Sequence, residues 1–190
     1  MLSHRKVRYL AVNSKGKIMS RMNTKKMTML AMFSLIALTI FSIESMIGPI
    51  VPIPGIKLGL ANIVTLIVLT LYGPYEAIFV LIVRILMGSI FAGQMISFFY
   101  SLSGGLLCWA SMSIINKILH GRFLFLTSMC GAVSHNIGQI AAAMILTGSV
   151  SVIAYLPVLM ISAMITGCFT GLAAQFCVKH LYKFLRLTKM

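Results

Sequence analysis

The sequence predicts an all-α integral membrane protein, a bundle of six transmembrane helices with both termini on the cytoplasmic side. Three observations lead there. Hydrophobic residues make up 59% of the chain and charged residues only 9%, with a mean hydropathy of +1.01, whereas soluble domains carry about 25% charged residues. Six apolar runs follow one another along the chain, read against the roughly 20 residues that a span needs. The basic residues gather at alternate connections, as the positive-inside rule requires of a multi-pass protein.

Residues 1–26 hold eight Lys/Arg and no acid. They lack helical apolar periodicity and read as a mobile basic arm on the cytoplasmic side. Met22-Asn23-Thr24-Lys25-Lys26, directly before the first apolar run, has the form of a natural start, so residues 1–21 are expected to be an extension. The first run, Met27–Ile47, is longer than a signal-peptide core and has no Ala-x-Ala cleavage site, which makes it a retained transmembrane helix.

Five more spans are expected at about Lys57–Tyr72, Tyr75–Phe91, Met95–Ile115, Phe123–Leu146 and Ser151–Val178. The second and third are short and meet at Gly73-Pro74, which predicts a steep helical hairpin. Ahead of them, Gly48-Pro49-Ile50-Val51-Pro52-Ile53-Pro54-Gly55 holds three prolines, which prevent a helix and predict an extended lid or re-entrant loop on the outer side. Residues 27–181 thus form the transmembrane domain, and 182–190 a basic cytoplasmic tail.

Orientation follows from the charges. The arm carries eight basic residues, the Lys117–Arg122 loop two and the segment from Lys179 four, against Lys57 alone on the other side. Arg84 is the one that falls within a span. Anionic lipid attracts such clusters, and with Tyr9 as the arm's sole aromatic residue, nucleic-acid binding is not expected. The cysteines Cys108, Cys130, Cys168 and Cys177 lie in apolar runs without metal-site pairing, so they read as inert buried thiols, and no metal or cofactor is expected.

Charged and amide side chains at membrane depth are costly, about 2.5–3.5 kcal/mol for a central Arg, which makes each a candidate functional residue. Glu44, Asn62, Arg84, Gln94, His135, Asn136, Gln139 and Gln175 are such residues. The helical rise sets Glu44 and Gln139 about 25 Å from the inner surface, Asn62 about 22 Å, His135 about 18 Å and Arg84 about 14 Å. Polarity is therefore concentrated in the outer half, which predicts a ligand cavity open to the outside. His135 and Gln139 share a helix face, with Asn136 rotated by about 100°. Against the binding reading stands a structural one, in which Glu44 pairs with Arg84, His135 and Gln139 bond backbone carbonyls, and Asn62 caps its helix. Gly55-x-x-x-Gly59, Gly104-Gly105 and Gly167-x-x-x-Gly171 mark close helix approaches, within the chain or between subunits.

Several segments quoted as they stand carry a family resemblance: Ile43-Glu44-Ser45, Pro54-Gly55-Ile56-Lys57-Leu58-Gly59-Leu60-Ala61-Asn62-Ile63, Arg84-Ile85-Leu86-Met87-Gly88-Ser89, Ser101-Leu102-Ser103-Gly104-Gly105-Leu106-Leu107 and Gly131-Ala132-Val133-Ser134-His135-Asn136-Ile137-Gly138-Gln139. From about Met22 onward the chain resembles the Gx transporter family, also labelled heptaprenyl diphosphate synthase component I. Members look like the substrate-binding S components of energy-coupling factor transporters, six-helix proteins that capture vitamins from outside. The resemblance implies that fold, a transport role in the cell membrane, and partnership with a transmembrane coupling protein and ATPase subunits. The Ala-x-x-x-Ala coupling surface usual in the first helix is not reproduced, since Ala31 and Ala37 are six apart.

Prenyl-chain elongation needs aspartate-rich motifs that hold Mg²⁺ against diphosphate. The chain has no Asp and two isolated glutamates, Glu44 and Glu76, so it is not expected to catalyse that reaction, and phosphate-loop and zinc-protease motifs are absent too. The expectation is a non-enzymatic transporter subunit with a substrate site of Glu44, Asn62, Arg84, His135, Asn136 and Gln139. An apolar cavity with a few donors suits a quinone, prenyl or flavin-like ligand. The alternative is a non-catalytic membrane scaffold for isoprenoid or quinone metabolism or for membrane electron transfer.

Overall fold

The computed structural model describes residues 24–47, 59–93, 95–121 and 123–187. These form six α-helices: α1 (Thr24–Ile47), α2 (Asn62–Leu71), α3 (Pro74–Ala92), α4 (Met95–Ile118), α5 (Leu124–Thr147) and α6 (Leu156–Leu187), with a 3-10 segment, Val150–Tyr155, ahead of α6. Five helices are long and apolar enough to cross a membrane, and α2 is a shorter apolar helix of 10 residues. The expected basic arm up to residue 23, the proline-rich segment with Gly55 and Lys57, Gln94, Arg122 and residues 188–190 lie outside the described residues.

Within the expected second span, Lys57–Tyr72, the described residues 59–72 are helical over Asn62–Leu71. That is a rise of about 15 Å, half of a hydrocarbon core of about 30 Å. Its surroundings explain this. α2 touches every other helix of the bundle, and residues 64–69 along it are buried without a break. A helix walled in by protein is freed from the bilayer thickness that sets the length of its lipid-facing neighbours. Gly73 and Pro74 then reverse the chain into α3, with Pro74 at the first helical position where its missing N–H costs nothing.

Cross-links at one end fix the directions of the helices. Lys26 Nζ meets Glu76 Oε1 at 2.5 Å, so α1 and α3 start side by side. Trp109 Nε1, late in α4, donates to the Pro74 carbonyl at 3.0 Å. An apolar cluster at that same end joins Leu30, Val68, Ala77, Met112, Leu124 and Val178, drawn from the starts of α1, α3 and α5 and the ends of α2, α4 and α6. A second cluster of Tyr100, Ile140, Ala143, Val152 and Leu159 closes the far end. Successive helices therefore alternate in direction.

The buried face of α1 is the stripe Leu30, Ser34, Ala37, Phe41, Glu44, while Met32, Leu35, Ile36, Ile43 and Met46 point outward. This spacing of three and four residues is one side of a helix, and it obliges Glu44 to face the bundle. The small residues serve intramolecular packing. A Cβ on Gly138 would stand 2.7 Å from the Ser103 carbonyl oxygen, and one on Gly171 2.5 Å from Phe125 Cα, so α4, α5 and α6 approach at backbone distance.

Two further boundaries and one set of side chains differ from expectation. α1 begins at Thr24, inside the expected arm, and α6 runs to Leu187, through most of the expected tail, because no Pro or Gly interrupts residues 172–187. The last span runs from Val150, next to the expected Ser151, and passes from 3-10 to α geometry at Leu156, with Pro157 in the first α turn. Of the four cysteines only Cys108 is buried, and Cys130 and Cys177 are exposed on the outside of the bundle, where a thiol is apolar enough to face lipid.

Candidate ligand-binding site

Between the two apolar clusters lies a polar layer, built from one or two residues each of α1, α3, α4 and α5 around the start of α2. The α1 stripe delivers Glu44. Its carboxylate Oε1 accepts the Gly59 N–H at 2.5 Å, which ties α1 to the turn that opens α2. Gly59 adopts φ +78, a left-handed conformation that glycine takes without a Cβ penalty. A Cβ there would also stand 2.7 Å from Asn62 Nδ2 and 2.9 Å from His135 Cδ2, so glycine is required twice over.

Arg84, halfway along α3, donates from Nη2 to Asn62 Oδ1 at 3.2 Å. Asn62 is the first residue of α2, and its side-chain oxygen serves Arg84, with no side-chain cap bond at the Ala61 cap. The expected alternative of a capping Asn62 is thus not what the structure shows. From α5, His135 and Gln139 present one face. α4 comes close enough for this contact because position 104 is glycine: a Cβ there would meet the His135 carbonyl at 2.8 Å and Gln139 Cγ at 2.9 Å.

Phe41, Glu44, Gly59, Arg84, Ser101, His135 and Gln139 line one cavity. It leaves about 10 Å³ of open space, the room of about one water molecule and far below the 300–1,000 Å³ typical of small-molecule pockets. Glu44 and Arg84, of opposite charge, line this same cavity, although the helical rise set them roughly 11 Å apart in depth.

Five of the six expected site residues come together: Glu44, Arg84, His135 and Gln139 line the cavity, and Asn62 reaches it through Arg84. Asn136 does not. Rotated away from that face, its Nδ2 donates to the Leu159 carbonyl at 2.7 Å and binds α5 to α6. Gln175 is exposed on α6. Phe41, Gly59 and Ser101 line the cavity without having been singled out as site residues. None of the three carries a charge or an amide to mark it in the sequence.

The second carboxylate is elsewhere. Glu76 pairs with Lys26 near the start of α1, roughly 27 Å of helix rise from Glu44. The two glutamates therefore form no cluster of the kind that holds Mg²⁺ against a diphosphate.

Residues 33–177 match the family model of heptaprenyl diphosphate synthase component I. The chain belongs to this family. No curated protein and no solved structure matches the chain. The region shared with the heptaprenyl diphosphate synthase component I family runs from Phe33 in α1 to Cys177 in α6 and includes every residue of the polar layer.

Proposed function

We propose that this chain is a non-catalytic membrane subunit that captures a small molecule in the polar layer between its two apolar clusters. In this reading the bundle crosses the membrane six times. The end bearing Lys25, Lys26, Lys117 and Lys179 is cytoplasmic, by the positive-inside rule. The far end, with the polar layer nearer to it, faces outward. The best role for such a subunit is the substrate-binding component of an energy-coupling factor-type importer, with a coupling protein and ATPase subunits as partners.

One observation supports this above the others: Glu44, Arg84, Ser101, His135 and Gln139, from four different helices, converge on one cavity. Burying an Arg and a Glu in a membrane protein without a use for them is costly. Ligand admission to a cavity of this volume requires the helices around it to part. Native mass spectrometry of the protein released from detergent tests the proposal. A bound small-molecule mass is expected on the wild-type protein and is expected to disappear in Arg84→Ala. Absence of any adduct at saturating cell extract would sink it.

A second reading is favoured by that same volume. A bundle whose interior is nearly filled suits a scaffold that docks an enzyme of isoprenoid or quinone metabolism, in keeping with the words "component I" in the family description. On that reading, affinity capture through the chain retrieves a soluble synthase subunit, and Arg84→Ala leaves the retrieval unchanged. Co-purification of ATPase subunits supports the importer instead.

A further inference from the structure

The capture site has a chemistry that narrows its ligand. We infer that the site recognises a neutral molecule through a single carbonyl oxygen and excludes phosphates, diphosphates and other oxyanions. This rests on the capture reading above and names the ligand class within it. Three observations point the same way.

The first is a surplus of donors. Asn62 Nδ2 and Arg84 Nε have no hydrogen-bond partner among the described residues, although Asn62 is 5% exposed and Arg84 3%. Asn62 Nδ2 lies at the cavity's edge, 2.7 Å from where a Cβ on Gly59 would stand, beside His135 Nε2 at 3.1 Å from the same point. Amide and guanidinium N–H groups only donate, so what they lack is an acceptor. The second is charge. Glu44 and Arg84 lie on the same cavity, so their charges cancel. An added anion would leave an uncompensated negative charge in a buried site, which is disfavoured, whereas a neutral acceptor leaves the balance intact. The third is space. With room for one water, the cavity admits a single oxygen with the least parting of its helices, and the three or four oxygens of a tetrahedral oxyanion only with a wider one. A carbonyl oxygen takes the place that a water would hold and accepts the same bonds, while the remainder of the molecule lies against Phe41.

A matched pair of probes tests this: naphthoquinone, which is neutral and dicarbonyl, and naphthoquinone sulfonate, which adds one negative charge to the same ring. Binding is measured by equilibrium dialysis against the full chain in lipid nanodiscs, counting only the fraction lost in Arg84→Gln, so that partition into lipid is removed. The wild-type protein is expected to bind the neutral ring about tenfold more tightly than the sulfonate or better. Glu44→Gln makes the site net positive and is expected to narrow or reverse that preference. Equal affinity, a preference for the sulfonate, or no Arg84-dependent binding of the neutral ring overturns the inference. The capture reading is judged separately by the native-mass adduct, so an adduct of an anionic molecule would defeat this inference and leave capture standing.

Discussion

At Arg84 the energetics of a single side chain decide how the interior of the bundle is read. Its guanidinium and the Glu44 carboxylate share a cavity inside an apolar protein, and removing one of two buried charges strands the other at a cost of about 3–5 kcal/mol. Arg84→Met is therefore expected to lose that much stability in detergent denaturation. Adding Glu44→Gln to Arg84→Met should recover most of it, since the stranded charge is then gone. If the double variant is as unstable as the single one, the two charges do not compensate each other. Gly59 offers a second test. Gly59→Ala puts a Cβ into a left-handed residue at about 1–2 kcal/mol and pushes it against Asn62 and His135. Thermal melting should register that loss, and the native-mass adduct should vanish with it.

Between elements, tight seams hold α5 against both of its neighbours. Towards α4, Gly138 sits under the Ser103 carbonyl and Ser103 Oγ donates to the Gly138 carbonyl at 2.8 Å. Any side chain at 138 must wedge the two backbones apart, so Gly138→Ala is expected to destabilise by about 1–3 kcal/mol and to weaken ligand binding, because His135 and Gln139 move with α5. Towards α6 the tie is Asn136 to the Leu159 carbonyl. Asn136→Leu should cost only about 0.6–1.7 kcal/mol, the range of interhelical hydrogen bonds in membranes, and leave ligand affinity within twofold. Equilibrium dialysis separates the two outcomes: an affinity loss in Asn136→Leu comparable to that of Arg84→Gln would return Asn136 to the site. Sequence spacing had already placed Asn136 about 100° from His135 and about 60° from Gln139. It could not show that α6, and not the ligand cavity, lay on that side.

Over the whole molecule, the ends of the bundle are chemically unequal. Lys25, Lys26, Lys117 and Lys179 lie at the end where α1 starts and α6 returns, and the turn at Gly148 and Ser149 at the other. With the four native cysteines replaced, Lys25→Cys and Lys117→Cys are expected to resist a membrane-impermeant thiol reagent in intact cells, and Ser149→Cys to react. The reverse pattern would invert the bundle and turn its polar layer toward the cytoplasm. The same end is held by the Lys26 and Glu76 contact, which fixes the start of α1 against the start of α3.

The sequence by itself determined the solvent, the number of apolar runs and the identity of the costly polar residues. A stretch of 20 lipid-compatible residues, a Gly-Pro turn and a buried charge each leave a local mark that composition and spacing reveal. Only the tertiary structure decided that α2 is a short central helix and not a lipid-facing span, that Asn62 serves Arg84 and does not cap its helix, and that Ser101 and Gly59 complete the cavity. Those facts depend on which helix stands beside which, and side chains far apart in sequence become neighbours only through packing, which a linear pattern of hydrophobicity does not encode.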